Sequence, residues 1–208
     1  MIVGSTTNIY RQALQIKANV DFVICFCKPE AFIALMNQTE AIVSEIHEQV
    51  DRDLFLAAMS RIANSVTVVT TDGPSGRHGA TVSSFCSVSA DPPQLLVCLN
   101  HSGKTAAAVL ENKRFCVNVL PETAQQLAIL FAGQTSEKHI DRFSDETWGS
   151  ANGHLPVLEG ATAFECDVIE TVKSTSHYVF IGEVTAASEG DKPPLIYLNR
   201  RFCKTTQI

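Results

Sequence analysis

A two-residue period that starts at Val66 and returns in short runs to the end of the chain limits the fold more than any other feature. Val66 and Val68 alternate with polar neighbours, and on a strand residues two apart share a face. The stretch 72–79 then supplies Gly-Pro and Gly turn signals before the next run, so this unit reads strand, turn, strand. Further strand-like runs follow at 94–99, 115–120, 163–172, 178–185 and 195–198. Their number predicts a mainly β chain folded as a closed or nearly closed barrel.

Helices are expected at the periphery. One covers 105–112, and a second covers 122–132, where Pro121 precedes a stretch rich in Ala, Leu and Gln. No G-x-G-x-x-G opens a helix after a strand, which removes support for a Rossmann domain. Upstream, Ile42, Ile46, Val50, Leu54, Ala57, Ala58 and Ile62 recur at three- and four-residue intervals, predicting one or two amphipathic helices over 40–62. Residues 1–35 have neither period. Because Met36 follows at once, they read either as a real extension or as a start placed too far upstream. The division expected is an N-terminal extension over 1–50 and a barrel domain over 51–208.

At 208 residues the chain suits one compact domain. With 45% hydrophobic and 18% charged residues it has enough apolar side chain to fold. A net charge of −6, with no basic run longer than Arg200-Arg201, lacks the positive field that a phosphate backbone requires, so nucleic acid is excluded as a partner. Seven cysteines without a Cys-x-x-Cys pair predict neither a metal site nor a disulfide framework. Most are expected as buried thiols in a reducing cytoplasm. The apolar stretch 22–27 near the N-terminus is too short to span a bilayer.

One segment carries chemistry. Between His78 and Asp91 no side chain is charged, yet Thr81, Ser83, Ser84, Ser87 and Ser89 crowd hydroxyls into a strand-like run. Strand alternation would put Thr81, Ser83, Phe85, Ser87 and Ser89 on one face. A solvated face usually includes Lys or Glu, whereas a wall against a planar ligand favours short side chains and accessible backbone N–H groups. A plain Ser/Thr-rich surface strand is the alternative.

The segments 53–71 (DLFLAAMSRIANSVTVVTT), 79–93 (GATVSSFCSVSADPP), 95–100 (LLVCLN), 115–120 (FCVNVL), 131–133 (FAG), 155–158 (LPVL) and 195–202 (LIYLNRRF) occur together in this order. In that respect the chain resembles, over roughly 51–204, the flavin reductase-like FMN-binding split barrels, specifically the short-chain reductase components of two-component flavin monooxygenases. Three positions depart from the family pattern: Ser65 and Thr175 stand where glycine is usual, and Cys203 where histidine is usual.

The resemblance implies a split β-barrel with peripheral helices that takes a hydride from NADH or NADPH to FMN or FAD. Thr81, Val82, Ser83 and Ser84 would line the isoalloxazine, with Ser87 close behind. Asn100, Ser102, Lys104 and Thr105 would hold the ribityl phosphate, although Lys104 reads equally well as a solvated lysine. His177, in the triplet Thr175-Ser176-His177, would act at the nicotinamide side as the catalytic residue; a structural histidine is the alternative. The resemblance further implies a homodimer and a separate oxygenase that hydroxylates an aromatic compound. A flavin- or haem-binding sensor or storage barrel without turnover is the competing reading.

Overall fold

The computed structural model describes residues 50–133, 141–144, 147–149 and 155–206. The chain divides into two units, 1–55 and 56–208, the second of which carries the barrel. Helix α1 (Arg52–Met59) is capped by Asp51, whose Oδ1 accepts from the backbone N–H of Asp53 and Leu54 at 3.0 and 2.9 Å. It accounts for part of the helix expected over 40–62; the rest, with the readings for 1–49, lies outside the described residues.

The central sheet contains β2 (Thr67–Thr71), β3 (His78–Val82), β4 (Phe85–Ala90), β5 (Pro93–Asn100), β6 (Arg114–Val119), β9 (Thr162–Lys173) and β10 (His177–Ser188), in the order β3-β2-β6-β9-β10-β5-β4. Its two end strands, β3 and β4, are consecutive in the chain and separated only by Ser83 and Ser84. Three peptide units reach about 10 Å. The two edges must therefore come side by side, which rolls the sheet into a barrel with a slit at Ser83-Ser84. Two smaller sheets complete the strands: β1 (Asn64–Ser65), β11 (Ile196–Leu198) and β12 (Arg201–Cys203) form one, and β7 (Trp148–Gly149) with β8 (Val157–Leu158) the other.

Val69, Val97, Val117, Phe115, Leu95, Leu99, Cys166 and Phe180 fill the barrel, each nearly or wholly inaccessible. A second cluster covers the outer side of β2, where Val66 and Val68 pack with Leu120, Ala128, Phe131 and Leu195. Both faces of β2 are thus buried, and its polar residues need internal partners. Thr70 Oγ1 donates to the Pro156 carbonyl at 2.7 Å. Buried Asn118 donates from Nδ2 to the Val68 carbonyl at 3.2 Å, and its Oδ1 accepts from Leu158 N–H at 2.8 Å.

Two further helices lie between strands: α2 (Lys104–Asn112) and α3 (Gln125–Phe131). Both match expected positions, although α3 is shorter than 122–132 because its N-terminal boundary is Ala124.

The expected single strand from 78 to 91 is corrected. The chain breaks at Ser83-Ser84, β3 pairs with β2, and β4 pairs with β5. Alternation does not survive the break: Val82 and Phe85, of opposite parity, both pack against the barrel interior. The cysteines also need correction. Cys116 and Cys166 are buried, Cys98 and Cys203 are half-buried, and Cys86 is exposed, because the outer face of β4 is uncovered.

Candidate active site

The slit opens into a cleft of about 350 Å³, lined from β3 and the break by Ala80, Thr81, Val82, Ser83 and Ser84, and from β5 by Cys98, Leu99 and Asn100. Gly103, Thr105, Ala106 and His177 complete it. Seven of the site residues read from sequence therefore meet here: Thr81, Val82, Ser83, Ser84, Asn100, Thr105 and His177. Ser87 does not. It is exposed on β4, away from this cleft.

Among the described residues the wall of this cleft carries no carboxylate, ammonium or guanidinium group, and its polar groups divide into committed and available ones. Thr81 Oγ1 donates to the Ala128 carbonyl at 2.7 Å, and Ser84 Oγ donates to the Cys98 carbonyl at 3.0 Å. Both hydroxyl hydrogens are spent inside the protein. The backbone N–H groups of Ser83 and Ser84 donate to no acceptor among the described residues, and both residues are exposed. The wall thus offers peptide donors and hydroxyl lone pairs. Burial pushes the Cys98 thiol above its ordinary pKa, and neighbouring Cys86 adds to the effect, so the thiol stays protonated at neutral pH.

At its α2 end this cleft shares Ala80, Gly103 and Thr105 with a second cleft of about 470 Å³. Here the described lining is mainly cationic: Arg77, Lys104 and Arg142, beside His78 and the carboxylate of Asp141. Arg77 is held by Asp72 at 3.0 Å and lies over the Phe143 ring, 5.6 Å from its centroid. Gly103 caps α2 with extended backbone (φ −81, ψ 143) and no side-chain hydrogen bond. Among the described residues the first-turn N–H groups of α2 therefore meet no capping side chain at the positive end of the helix. A phosphate fits such an end. Asn100 and Ser102 shape the approach, since Asn100 Oδ1 accepts from both Ser102 N–H at 2.9 Å and Ser102 Oγ at 2.7 Å. Ser102 lies on the turn before α2 without lining either cleft, whereas Lys104 lines the cationic one.

His177 begins β10, opposite Asn100 at the end of β5. Its Nδ1 lies 2.8 Å from Ser176 Oγ, and the residue is exposed at the rim. Arg77 and Arg142 were not identifiable from sequence, because they come from separate segments that only the fold brings together.

A cleft with free peptide donors, continuous with a cationic helix end, fits a flat heteroaromatic ring that carries a phosphate tail. The comparisons agree. The model of the flavin reductase-like domain matches residues 59–206. The chain is 42% identical over 155 residues to the FMN reductase (NADH) RutF of Ancylobacter novellus, covering 74% of this chain and 84% of that one. It superimposes at a TM-score of 0.69 and 31% identity on BorF, the flavin reductase component of a bacterial two-component tryptophan halogenase, over 76% of this chain and all of that one. The NADH:FAD oxidoreductase SgcE6 of Streptomyces globisporus C-1027 gives a TM-score of 0.70 at 26% identity, over 76% and 95% of the two chains. These relatives are oxidoreductases, which decides against a barrel without turnover. The chain belongs to the flavin reductase-like domain family.

Proposed function

We propose that the protein is an NADH:FMN oxidoreductase that releases reduced flavin to a separate oxygenase. The observation that carries this reading is the continuity of the uncharged cleft with the cationic end of α2 through Ala80, Gly103 and Thr105, which matches the ring and phosphate ends of FMN. The chemistry the flavin supplies is acceptance of a hydride from C4 of the dihydronicotinamide, which leaves oxidised, so no protein nucleophile is needed.

The protein's part is positioning and electrostatics. Thr81, Val82, Ser83 and Ser84 form the ring wall. The free N–H groups of Ser83 and Ser84 suit the edge of the ring where negative charge builds up on reduction. Lys104, Thr105 and the first turn of α2 hold the phosphate, with the Asn100-Ser102 turn fixing their approach. His177, at the rim of the ring cleft, orients the donor.

The names of BorF and of the RutF relative support NADH as donor and a two-component partnership; the link to tryptophan halogenation supports an oxygenase with an aromatic substrate. A homodimer suits the outer face of the β9-β10-β5-β4 sheet, where Val172, Val179 and Cys98 lie in one row and Ile181, Leu96 and Cys86 in the next. Val172 there is 45% exposed. Among the described residues no helix is long and apolar enough to cross a membrane, and a need for NADH supports a cytoplasmic location.

The test is NADH consumption by the purified full chain with FMN, FAD or riboflavin added. Flavin-dependent oxidation that is fastest with NADH and FMN is expected, and absence of any flavin-dependent oxidation defeats the reading.

A further inference from the structure

Two cysteines sit side by side next to the slit. Cys86 on β4 is in register with Leu96 on β5, and Cys98 follows Leu96 by two residues, so the two thiols lie diagonally across one strand pair. Both point outward, since Leu95, Val97 and Leu99 fill the barrel from the other face of β5. Cys86 is exposed, whereas Cys98 is half-buried and lines the ring cleft. They are close enough that ionisation of Cys86 opposes that of Cys98. Hydride transfer to flavin uses neither thiol.

Diagonal neighbours on an antiparallel pair have Cα atoms about 7–8 Å apart, at the outer limit of what a disulfide spans. Closing a bridge here therefore requires β4 to shift. The strand is placed to do so: it ends the order of the sheet, it starts at the break, and its pairing with β5 slips register between Ser87 and Ser89. A bridge formed across that distance is strained, and strained or exposed disulfides are the readily reduced ones. The pair thus suits a reversible bond and not a structural staple.

We propose that Cys86 and Cys98 form a reversible disulfide that weakens the flavin site. The oxidant is hydrogen peroxide, formed when reduced flavin meets dioxygen instead of a partner protein and passes it two electrons and two protons; in this the proposal rests on the reductase reading. Exposed Cys86 attacks one peroxide oxygen, the O–O bond breaks, a sulfenic acid forms and water leaves. The Cys98 sulfur then attacks the Cys86 sulfur, the S–O bond breaks, and hydroxide departs as water with the Cys98 proton. Each sulfur gives up one electron, and the peroxide ends as two waters.

The backbone of Cys98 links the bridge to the ring wall. Its N–H donates to the Ser84 carbonyl at 3.0 Å, and its carbonyl accepts from Ser84 Oγ at 3.0 Å. Ser84 stands two residues before Cys86 and carries one of the two peptide donors at the ring edge. Leu95, Val97 and Leu99 anchor β5 in the core, so it is β4 that moves when the bridge closes, and the Ser84 donor moves with it. The oxidised protein holds flavin less tightly, and production of reduced flavin falls when that product is being lost to dioxygen.

The full chain is treated with hydrogen peroxide, remaining thiols are blocked with iodoacetamide, and the product is cut with trypsin. Both cysteines fall in one tryptic peptide, 78–104, released by cuts after Arg77 and Lys104. A bridge makes that peptide lighter by two hydrogens and leaves it unalkylated. The expected result is the lighter peptide together with a rise of about tenfold in the Kd for FMN, both reversed by dithiothreitol. Cys86→Ser, at an exposed position outside the ring wall, should keep the wild-type Kd before and after peroxide. An unbridged peptide after peroxide overturns the proposal, as does a bridge that joins two chains. A bridge that leaves the Kd unchanged overturns it too, and so does a loss of affinity that Cys86→Ser shares. If the untreated wild type binds no FMN, the flavin reading falls, while the peptide mass still decides whether the bridge forms, so the two failures are distinguishable.

Discussion

The hydroxyl of Thr81 donates to the carbonyl oxygen of Ala128 at 2.7 Å, tying the free edge of β3 to α3. This bond decides what Thr81 can offer a ligand, because the hydrogen is already used and only lone pairs and the backbone remain. Thr81→Val should therefore cost about 1 kcal/mol of stability by denaturant unfolding while changing FMN affinity less than threefold. Thr81→Ser should restore the stability. A large loss of FMN affinity in Thr81→Val with stability intact would show that the hydroxyl serves the ligand instead.

Lys104 opens α2 beside first-turn N–H groups that meet no capping side chain among the described residues. Lys104→Ala should weaken FMN by about one to two decades, the value of a charge-assisted contact of about 1.5–3 kcal/mol, and leave riboflavin nearly unaffected. Fluorescence titration of the two flavins separates phosphate binding from a general loss of the site, which would weaken both equally.

His177→Ala should slow reduction of bound flavin by NADH about tenfold, or about 1.4 kcal/mol in barrier, with the melting temperature kept. Exposure at the rim makes a folding role small. Stopped-flow reduction beside a thermal melt tests this: an early melt with a wild-type reduction rate would assign the ring a structural role.

Gly182 sits at a register shift of β10 where an added Cβ would come within 2.7 Å of Cys166 Cβ and 2.8 Å of the Phe115 ring. Neither neighbour can move, since both are fully buried. Gly182→Ala should destabilise the barrel by about 1–3 kcal/mol, the cost of overpacking, as read from the shift in urea midpoint. A midpoint equal to that of the wild type would mean the strand can shift outward.

Glu165 is buried on β9, and among the described residues its carboxylate makes no hydrogen bond or ion pair. Desolvation raises its pKa, with Arg114 pulling the other way. The folded state therefore holds the proton more tightly than the unfolded chain, so stability falls as pH rises past the ordinary glutamate range, near 4.3. Glu165→Gln should raise the melting temperature at pH 8, and the gain should vanish below about pH 4. A gain independent of pH would point to packing rather than ionisation.

Much of the barrel was legible from sequence because β5, β6, β9 and β10 each carry a long alternating or apolar run, and their bounds differ from the expected ones by three residues at most. The break at Ser83-Ser84 was not legible. Nothing about serine itself dictates a break, and what ends β3 there is that β3 pairs at one edge of the sheet, on β2, while β4 pairs at the other, on β5. The hydroxyl-rich wall could be identified because its residues are contiguous. Arg77 and Arg142 could not, since nothing local links them and only the fold brings them to one cleft. Cys86 shows a similar limit: its strand is readable, but whether a face of that strand is covered depends on distant segments.

The pairing of β10 with both β9 and β5 has a consequence for how the molecule comes into being. Residues 94–100 wait for residues 177–183 before β5 gains its second neighbour, so the barrel closes through contacts distant in sequence, and closing such loops slows folding. Until the second long hairpin has left the ribosome, His177 is missing, Asn100 has no strand opposite it, and the slit has only one lip. A growing chain would thus acquire its capacity for flavin late and all at once, and premature release anywhere before Ser188 would leave a protein with an open β5 edge, prone to pairing with other chains.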